Sequence, residues 1–339
     1  MRDAMCTKSL IATCLVTSCI LVASPTLRAE DGEVSTRSPQ ACWAATELAA
    51  RDGEDNIVKE KLEPPLPQSA MVDATAAGPR TPGTVRSVRL PPGKRLIALT
   101  FDLCEGPNEV AGYQGKIVDI LRAHSVKATF FMGGKWMMTH KIRAQQLIAD
   151  ARFEIGNHTW EHRNLRLLSS PAAADEIRKA DQAYDELRRE LEERKCAVPG
   201  REAMTGQTAP KSMRLFRFPY GACDSGALAT VSQQGLVPIQ WDVSSDDPDW
   251  RERPDAMAKR VLDNVHPGSI VLFHANGRGW YTDDALPDII SSLRKQGYDF
   301  VTVTELLKAG EPVISSSCYD QSVGDTDQYD ELARQIEAH

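Results

Sequence analysis

The sequence predicts an α/β fold built on parallel strands, and three observations carry that prediction. Between residues 96 and 309, short apolar runs of strand length alternate with amphipathic segments of helical period. Gly, Pro and Asn punctuate the joints, which disfavours an all-helical chain. The predicted strands end on polar residues: Asp102, His158, Arg217, Asp242 and His274. Strand–helix alternation demands crossover connections, hence a barrel or a doubly wound sheet. In a β/α barrel the C-terminal strand ends gather at one mouth, which would bring those polar residues together.

Residues 1–29 read as a targeting segment. Arg2 and Lys8 precede an apolar run over 10–23, followed by Pro25 and Ala29. That is the layout of a bacterial signal peptide, too short for a confident membrane span, so the mature chain would be periplasmic or secreted with no integral span. Val16-Thr17-Ser18-Cys19 also resembles a lipobox, so a lipid anchor at Cys19 is the alternative. Residues 30–90 hold one short helical stretch at 41–51, then Pro64, Pro65, Pro67, Pro79 and Pro82, and read as an extended arm or linker. A net charge of −7 gives no reason to expect a nucleic-acid partner. Five cysteines follow residue 29: Cys42, Cys104, Cys196, Cys223 and Cys318. Export permits disulfides, and an odd number leaves at least one thiol over. Cys196 and Cys223 flank a loop, while Cys42 and Cys318 could tie the two ends. Spacing does not choose between these.

The domain proper is predicted over 91–309, opening at Pro91-Pro92-Gly93. Seven strands are expected, at 96–101, 126–131, 153–156, 214–218, 237–242, 269–274 and 299–303. Helices are expected at 114–123, 141–150, 172–193, 225–234, 255–265, 286–296 and 305–309. Residues 196–213 read as an inserted loop, and 310–339 as a polar tail with a weak helix near Asp330.

Chemistry concentrates at the strand ends. His158 and His162 lie four apart, and one helical turn between them would aim both imidazoles at one point, a ready pair of ligands for zinc. Surface or hydrogen-bonded histidines are the plainer alternative. Asp102 closes an apolar strand, where a carboxylate is costly to bury unless paired or ligating, so it is either a helix cap or a general base. Arg217, in Phe216-Arg217-Phe218-Pro219-Tyr220-Gly221, suggests a fixed turn holding a charge-assisted pair. Asp246, Asp247, Asp249 and Trp250 form an acidic-aromatic loop that is either solvated or a partner for Arg217. His274 ends the run Ile270-Val271-Leu272-Phe273.

Taken together these stretches resemble the polysaccharide deacetylase family, carbohydrate esterases with a NodB homology domain. The family's first motif, Thr-Phe-Asp-Asp-Gly, reads Thr100-Phe101-Asp102-Leu103-Cys104-Glu105-Gly106 here. His158-Thr159-Trp160-Glu161-His162 matches the second motif in full. Arg217-Phe218-Pro219-Tyr220 matches the third, Asp246-Asp247-Pro248-Asp249-Trp250 the fourth, and Leu272-Phe273-His274 the fifth. Thr282 and Ala285-Leu286-Pro287 also fit. The resemblance spans residues 93–308 and implies a deformed (β/α) barrel that removes acetyl groups from an N-acetylated polysaccharide or oligosaccharide.

It further implies a divalent metal, zinc first with cobalt or nickel as alternatives, held by His158 and His162. Asp102 would take a proton from the attacking water and His274 would protonate the leaving amine. The Tyr220 backbone N–H would donate to the oxyanion. Arg217 would orient Asp102, with Asp249 in support. Phe218, Leu272 and Trp250 would contact substrate. Trp160, Trp280 and Tyr281 offer further ring faces, with core packing as the alternative for each aromatic.

One departure matters. The family's second aspartate, usually the third protein ligand, is Leu103 here. Glu105 is the expected replacement, reaching in from an altered loop. A two-histidine site, a metal-free site and ligation by Cys104 remain open. Two other functions stay in view: a degenerate module that holds glycan without cleaving it, and a hydrolase of cyclic amides on the same wider fold.

Overall fold

In the computed structural model, which describes residues 42–68, 83–194 and 210–337, strand and helix alternate as the periodicity requires. The elements are α1 (Ala45–Leu48), β1 (Thr84–Arg89), β2 (Leu96–Leu103), α2 (Gly115–Ala123), β3 (Ala128–Met132), α3 (Gly134–Thr139), α4 (Lys141–Ile148), β4 (Phe153–Asn157), α5 (Ser170–Glu193) and β5 (Leu215–Phe216). Then come α6 (Ser225–Gln233), β6 (Val237–Pro238), β7 (Val243–Ser244), α7 (Pro254–Asn264), β8 (Ile270–His274), α8 (Thr282–Lys295), β9 (Asp299–Phe300), α9 (Val303–Ala309), β10 (Glu311–Ser315) and α10 (Gln328–Glu337). The predicted targeting segment with Cys19, and most of the predicted inserted loop, lie outside the described residues. No helix among the described residues is long and apolar enough to cross a membrane.

Seven parallel strands form a curled half-barrel in the order β6-β5-β4-β3-β2-β8-β7, with β9 pairing beside the start of β2. Strand β2 is the hub, and its side chains alternate between two faces as a pleated strand must. Leu99, Phe101 and Leu103 enter the large core under the helices, while Ala98 joins the inner cluster around Phe131, Trp241 and Leu272. Phe101 stacks on Phe130 and Phe273 of the flanking strands, with centroids 5.3 and 5.4 Å away. The outer helices bury one stripe each. In α5 the stripe is Ala173, Ile177, Ala180, Tyr184, Leu187 and Leu191, spaced at three and four residues.

The run 237–242, expected as one strand, divides. β6 pairs with β5 at one edge of the sheet and β7 with β8 at the other, so residues 239–242 bridge the two edges. Ile239 and Gln240 bond to the backbone of Phe216 and Val85 at 2.7 and 2.8 Å. Asp242 therefore leaves the group of strand-end residues. It accepts from Ser269 Oγ and the Ile270 amide at 2.8 and 2.7 Å, at the start of β8, the opposite end of that strand from His274.

The boundaries expected at 91 and 309 also move outward. β1 and β10 form an antiparallel pair. β1 lies in the stretch expected to be an extended arm or linker, yet Arg86 is buried, stacked on Tyr319 at 3.8 Å and donating to the Asp320 carbonyl at 2.7 Å. The C-terminal segment thus supplies the partners that make a basic strand buriable. It is anchored by a Cys223–Cys318 disulfide, which replaces the candidate pairings of Cys223 with Cys196 and of Cys318 with Cys42. Cys42 is disulfide-bonded too, and Cys104 is the free cysteine among the described residues.

At the other end, residues 42–58 pack against the barrel. Trp43 and Leu48 join the large core, and Arg143 grips Glu54 at 2.7 Å and the Glu47 carbonyl at 2.8 Å. If this stretch is integral, Leu48→Ala should cost at least about 2 kcal/mol, the lower bound for a buried leucine. A urea titration reads this as a lower midpoint. An unchanged midpoint would make the stretch a linker after all.

Candidate active site

The site is built on the C-terminal ends of β2, β4, β5 and β8. The His158–His162 segment is not helical. Thr159 and His162 both adopt left-handed backbone, with φ of 66° and 58°. Such conformations cost roughly 1–2 kcal/mol for residues with a side chain, so local bonds must hold them. The Asn157 side chain accepts from the Thr159 amide at 2.9 Å, and Thr159 Oγ1 accepts from the His162 amide at 3.1 Å. Buried Glu176 accepts from the amides of Trp160 and Glu161 at 3.2 and 3.1 Å. The turn still brings the imidazoles together, with centroids 5.0 Å apart. Strain held in place this way is the sort that accumulates at functional sites.

Both rings are in the form a metal needs. Burial lowers the pKa of each, that of His162 well below its ordinary value, so both stay neutral. His158 Nδ1 lies 2.8 Å from the Arg217 carbonyl, which can only accept. The proton therefore sits on Nδ1 and the lone pair on Nε2. Nε2 is buried with no hydrogen-bond partner. A buried acceptor is rarely left in that state, and a cation would satisfy it.

Glu105 does not join them. Continuing the alternation of β2, it falls on the Leu103 side, fully buried, and accepts from the Ala111 amide and Thr139 Oγ1, both at 3.0 Å. Burial raises its pKa. Its expected role as replacement ligand has no support in this geometry. Cys104 instead shares the Asp102 face, and its sulfur lies within 4.8 Å of ring nitrogens of both His158 and His162.

Asp102 and His274 are register partners on β2 and β8, so both stand at the same mouth. Arg217 is fully buried and donates from Nη1 to Asp102 Oδ1 at 2.8 Å. The guanidinium is otherwise held by the Gln240 carbonyl at 3.3 Å and by the face of Phe131, 4.1 Å from its centroid. Gly156 makes room for that ring, since a Cβ there would meet Phe131 at 2.6 Å. Asp102 Oδ2 lies 3.6 Å from His158 Nε2, beside the point where the donors converge.

Asp247, not Asp249, is the structural carboxylate of the acidic loop. Asp249 is partly exposed and paired with Arg251 at 2.7 Å, while Arg217 donates to Asp102. Asp247 is fully buried. It accepts from His274 Nδ1 at 2.8 Å, the His274 amide at 2.7 Å and Thr282 Oγ1 at 2.8 Å. Burial would lower the His274 pKa, but the Asp247 charge and hydrogen bond outweigh it and the net shift is upward. An imidazole held this way presents Nε2 and keeps a proton to give.

The polysaccharide deacetylase family model matches residues 89–239. A peptidoglycan-N-acetylglucosamine deacetylase of Bacillus cereus is 30% identical over 221 residues, covering 65% of this chain and 91% of that protein. The chain belongs to the polysaccharide deacetylase family. Among solved structures, a peptidoglycan N-acetylglucosamine deacetylase superposes with a TM-score of 0.54 at 27% identity, covering 67% of this chain and 94% of that one. A CE4 family pseudoenzyme from Bacillus anthracis superposes at 0.51 with 31% identity, covering 67% and 69%. Deacetylases of this family are metal-dependent.

Tyr220 is left-handed at φ 60° and its ring packs 4.6 Å from His162, backed by Tyr329 of α10 at 5.8 Å. Among the expected substrate contacts, Phe218, Leu272 and Trp160 are core residues. Phe218 packs edge-on against Phe216, and Leu272 faces the inner cluster. Trp250 and Trp280 remain exposed, at 65% and 47%.

Arg278, on the loop after β8, is a charged residue of the site that none of the sequence motifs marks. Its charge acts on Cys104, His162 and His274. Glu109 holds it at 2.8 Å and also takes Lys59 at 2.6 Å, which brings the Glu109 pKa down to about 2 against its desolvation. A depressed carboxyl stabilises the fold above its ordinary value near 4.5 and loses that contribution as pH falls through about 2. The stability difference between wild type and Glu109→Gln should therefore be full at neutral pH and shrink towards pH 2. A difference independent of pH would contradict the ionised clamp.

Proposed function

We propose that this protein is an exported, metal-dependent hydrolase that removes acetyl groups from an N-acetylglucosamine-containing polymer or oligomer. The observation that carries the reading is the pairing of Asp102 with His274 across β2 and β8, each oriented by its own buried partner, beside two neutral histidines. The naming of a relative as a peptidoglycan-N-acetylglucosamine deacetylase supports the substrate class. The apolar leader and the Cys223–Cys318 disulfide support export.

When bound, the metal would polarise the acetyl carbonyl and make water a better nucleophile at neutral pH. Asp102 accepts the proton of the attacking water. Arg217 fixes which carboxylate oxygen points to the mouth and offsets the carboxylate's burial. Asp247 steadies the His274 imidazolium until it gives its Nε2 proton to the departing amine. The Tyr220 amide donates to the developing oxyanion, a kind of contact worth roughly 3 kcal/mol. His158 and His162 would hold the metal and take no proton in the cycle.

One observation favours a second reading. Leu103 occupies the position of the family's second aspartate, and a similar structure is described as a pseudoenzyme. Against a mere glycan binder stands the buried Asp102–Arg217 pair, whose desolvation penalty a binding surface has no need to carry. The test is acetate release from N-acetylglucosamine oligomers by purified protein with zinc or cobalt supplied. Release that disappears in Asp102→Asn supports the hydrolase. Oligomer binding without release under any metal supports the binder.

A further inference from the structure

A family site that lacks its aspartate ligand must either lose the metal or find another donor, and four observations identify the donor. Leu103 lies in the core under the helices and Glu105 is bonded to the Ala111 amide and Thr139 Oγ1, while Cys104 between them lies beside His158 and His162. The Cys104 sulfur and the ring nitrogens of His158 and His162 all lie within 4.8 Å of one another. His158 Nε2, the nitrogen left with a lone pair by the Nδ1 bond to the Arg217 carbonyl, is buried and has no hydrogen-bond partner. The Asn276 side-chain amide donates to Cys104 Sγ at 3.2 Å and to the Cys104 carbonyl at 2.8 Å, fixing the sulfur and offering an N–H to a thiolate.

We propose that Cys104 supplies the third protein ligand of the metal as a thiolate, making a Cys-His-His centre in place of the family's carboxylate-containing one. The proposal rests on the metal-dependent reading above. Three protein donors with an open fourth position is the arrangement of catalytic zinc, and Cys with His is a known donor set for it. Zinc bonds of about 2.3 Å to sulfur and 2.0–2.1 Å to nitrogen would put such donors roughly 3.5 Å apart, so the three would draw in on binding. Asn276 then acts as the outer partner that orients the sulfur, as hydrogen-bonded outer groups do in metal sites. Burial raises the pKa of the metal-free Cys104 thiol, with Arg278 opposing it, so the proton would leave only as a metal takes its place. A thiolate biases the site towards zinc or cobalt and away from magnesium or manganese, which prefer oxygen.

Cobalt(II) tests this without any reading of activity, because a bound thiolate gives an intense near-ultraviolet charge-transfer band. The purified wild-type protein, Cys104→Ser and Cys104→Asp are titrated with cobalt chloride, metal retained after desalting is counted, and circular dichroism checks that each is folded. The expected result is a stoichiometric wild-type complex showing the band. Cys104→Ser should lose it and bind at least ~10–100-fold more weakly, the loss known even for an outer-shell partner. Cys104→Asp should recover binding without the band. Stoichiometric cobalt with no band in the wild type, or a band that survives in Cys104→Ser, would overturn the thiolate ligand and leave metal dependence standing. A wild type that retains neither cobalt nor zinc would overturn metal dependence itself, and the proposal with it.

Discussion

Asp102→Asn should lower the rate of acetate release by roughly 10²–10⁴-fold, the usual contribution of a positioned general base. The variant isolates chemistry from architecture. An asparagine oxygen can still accept from Arg217 Nη1, and the guanidinium keeps the Gln240 carbonyl and the Phe131 face. What disappears is the basic lone pair. Arg217→Met is the complementary change. It leaves a buried carboxylate without its partner, and breaking a buried pair from one side costs about 3–5 kcal/mol. A urea midpoint should fall sharply for Arg217→Met, and much less for Asp102→Asn. Full acetate release by Asp102→Asn would remove Asp102 from the proton path.

Asp247→Asn should be nearly as damaging to turnover, by about 10²–10⁴-fold, because an asparagine amide favours the wrong imidazole tautomer, as in a catalytic triad. Its signature is in the pH profile. His274 must be protonated to act as the acid, so activity falls as pH rises through its pKa. Asp247 raises that pKa, and removing its charge should move the alkaline limb of the profile to lower pH. Asp249→Asn should leave rate and profile unchanged, since Asp249 is paired with Arg251 on the surface. The reverse outcome, with Asp249 sensitive and Asp247 silent, would restore the original assignment of the fourth motif.

The sheet and its mouth were legible because hydrophobic period and strand-end polarity act locally. β2, β3, β4, β5 and β8, with α2, α4, α5, α6 and α7, lie close to where the pattern put them. The failures share a cause, which is that tertiary partners decide burial. β1 carries two arginines and reads as linker until Tyr319 and the Asp320 carbonyl are present to receive Arg86. Asp242 ends an apolar run but belongs to a bridge between sheet edges, a detour no local pattern encodes. His158 and His162 converge, yet through a strained turn and not the helical turn their spacing suggested.

The choice between Glu105 and Cys104 is different, because the signal was present. Position parity along β2 places 102 and 104 together and 103 and 105 together. Glu105 has the longer side chain, but its bonds to the Ala111 amide and Thr139 hold it away from the histidines. In the fourth motif, three aspartates in four residues could not be ranked by type. Only the fold separates buried Asp247 from partly exposed Asp249.

The most direct measurement is acetate release from N-acetylglucosamine oligomers by the wild-type protein after chelation and after stoichiometric zinc is returned. Release that stops on chelation and recovers with zinc is the expected result. Release that persists through chelation would contradict metal dependence, and no release under any metal would make the protein a holder of glycan and not a hydrolase.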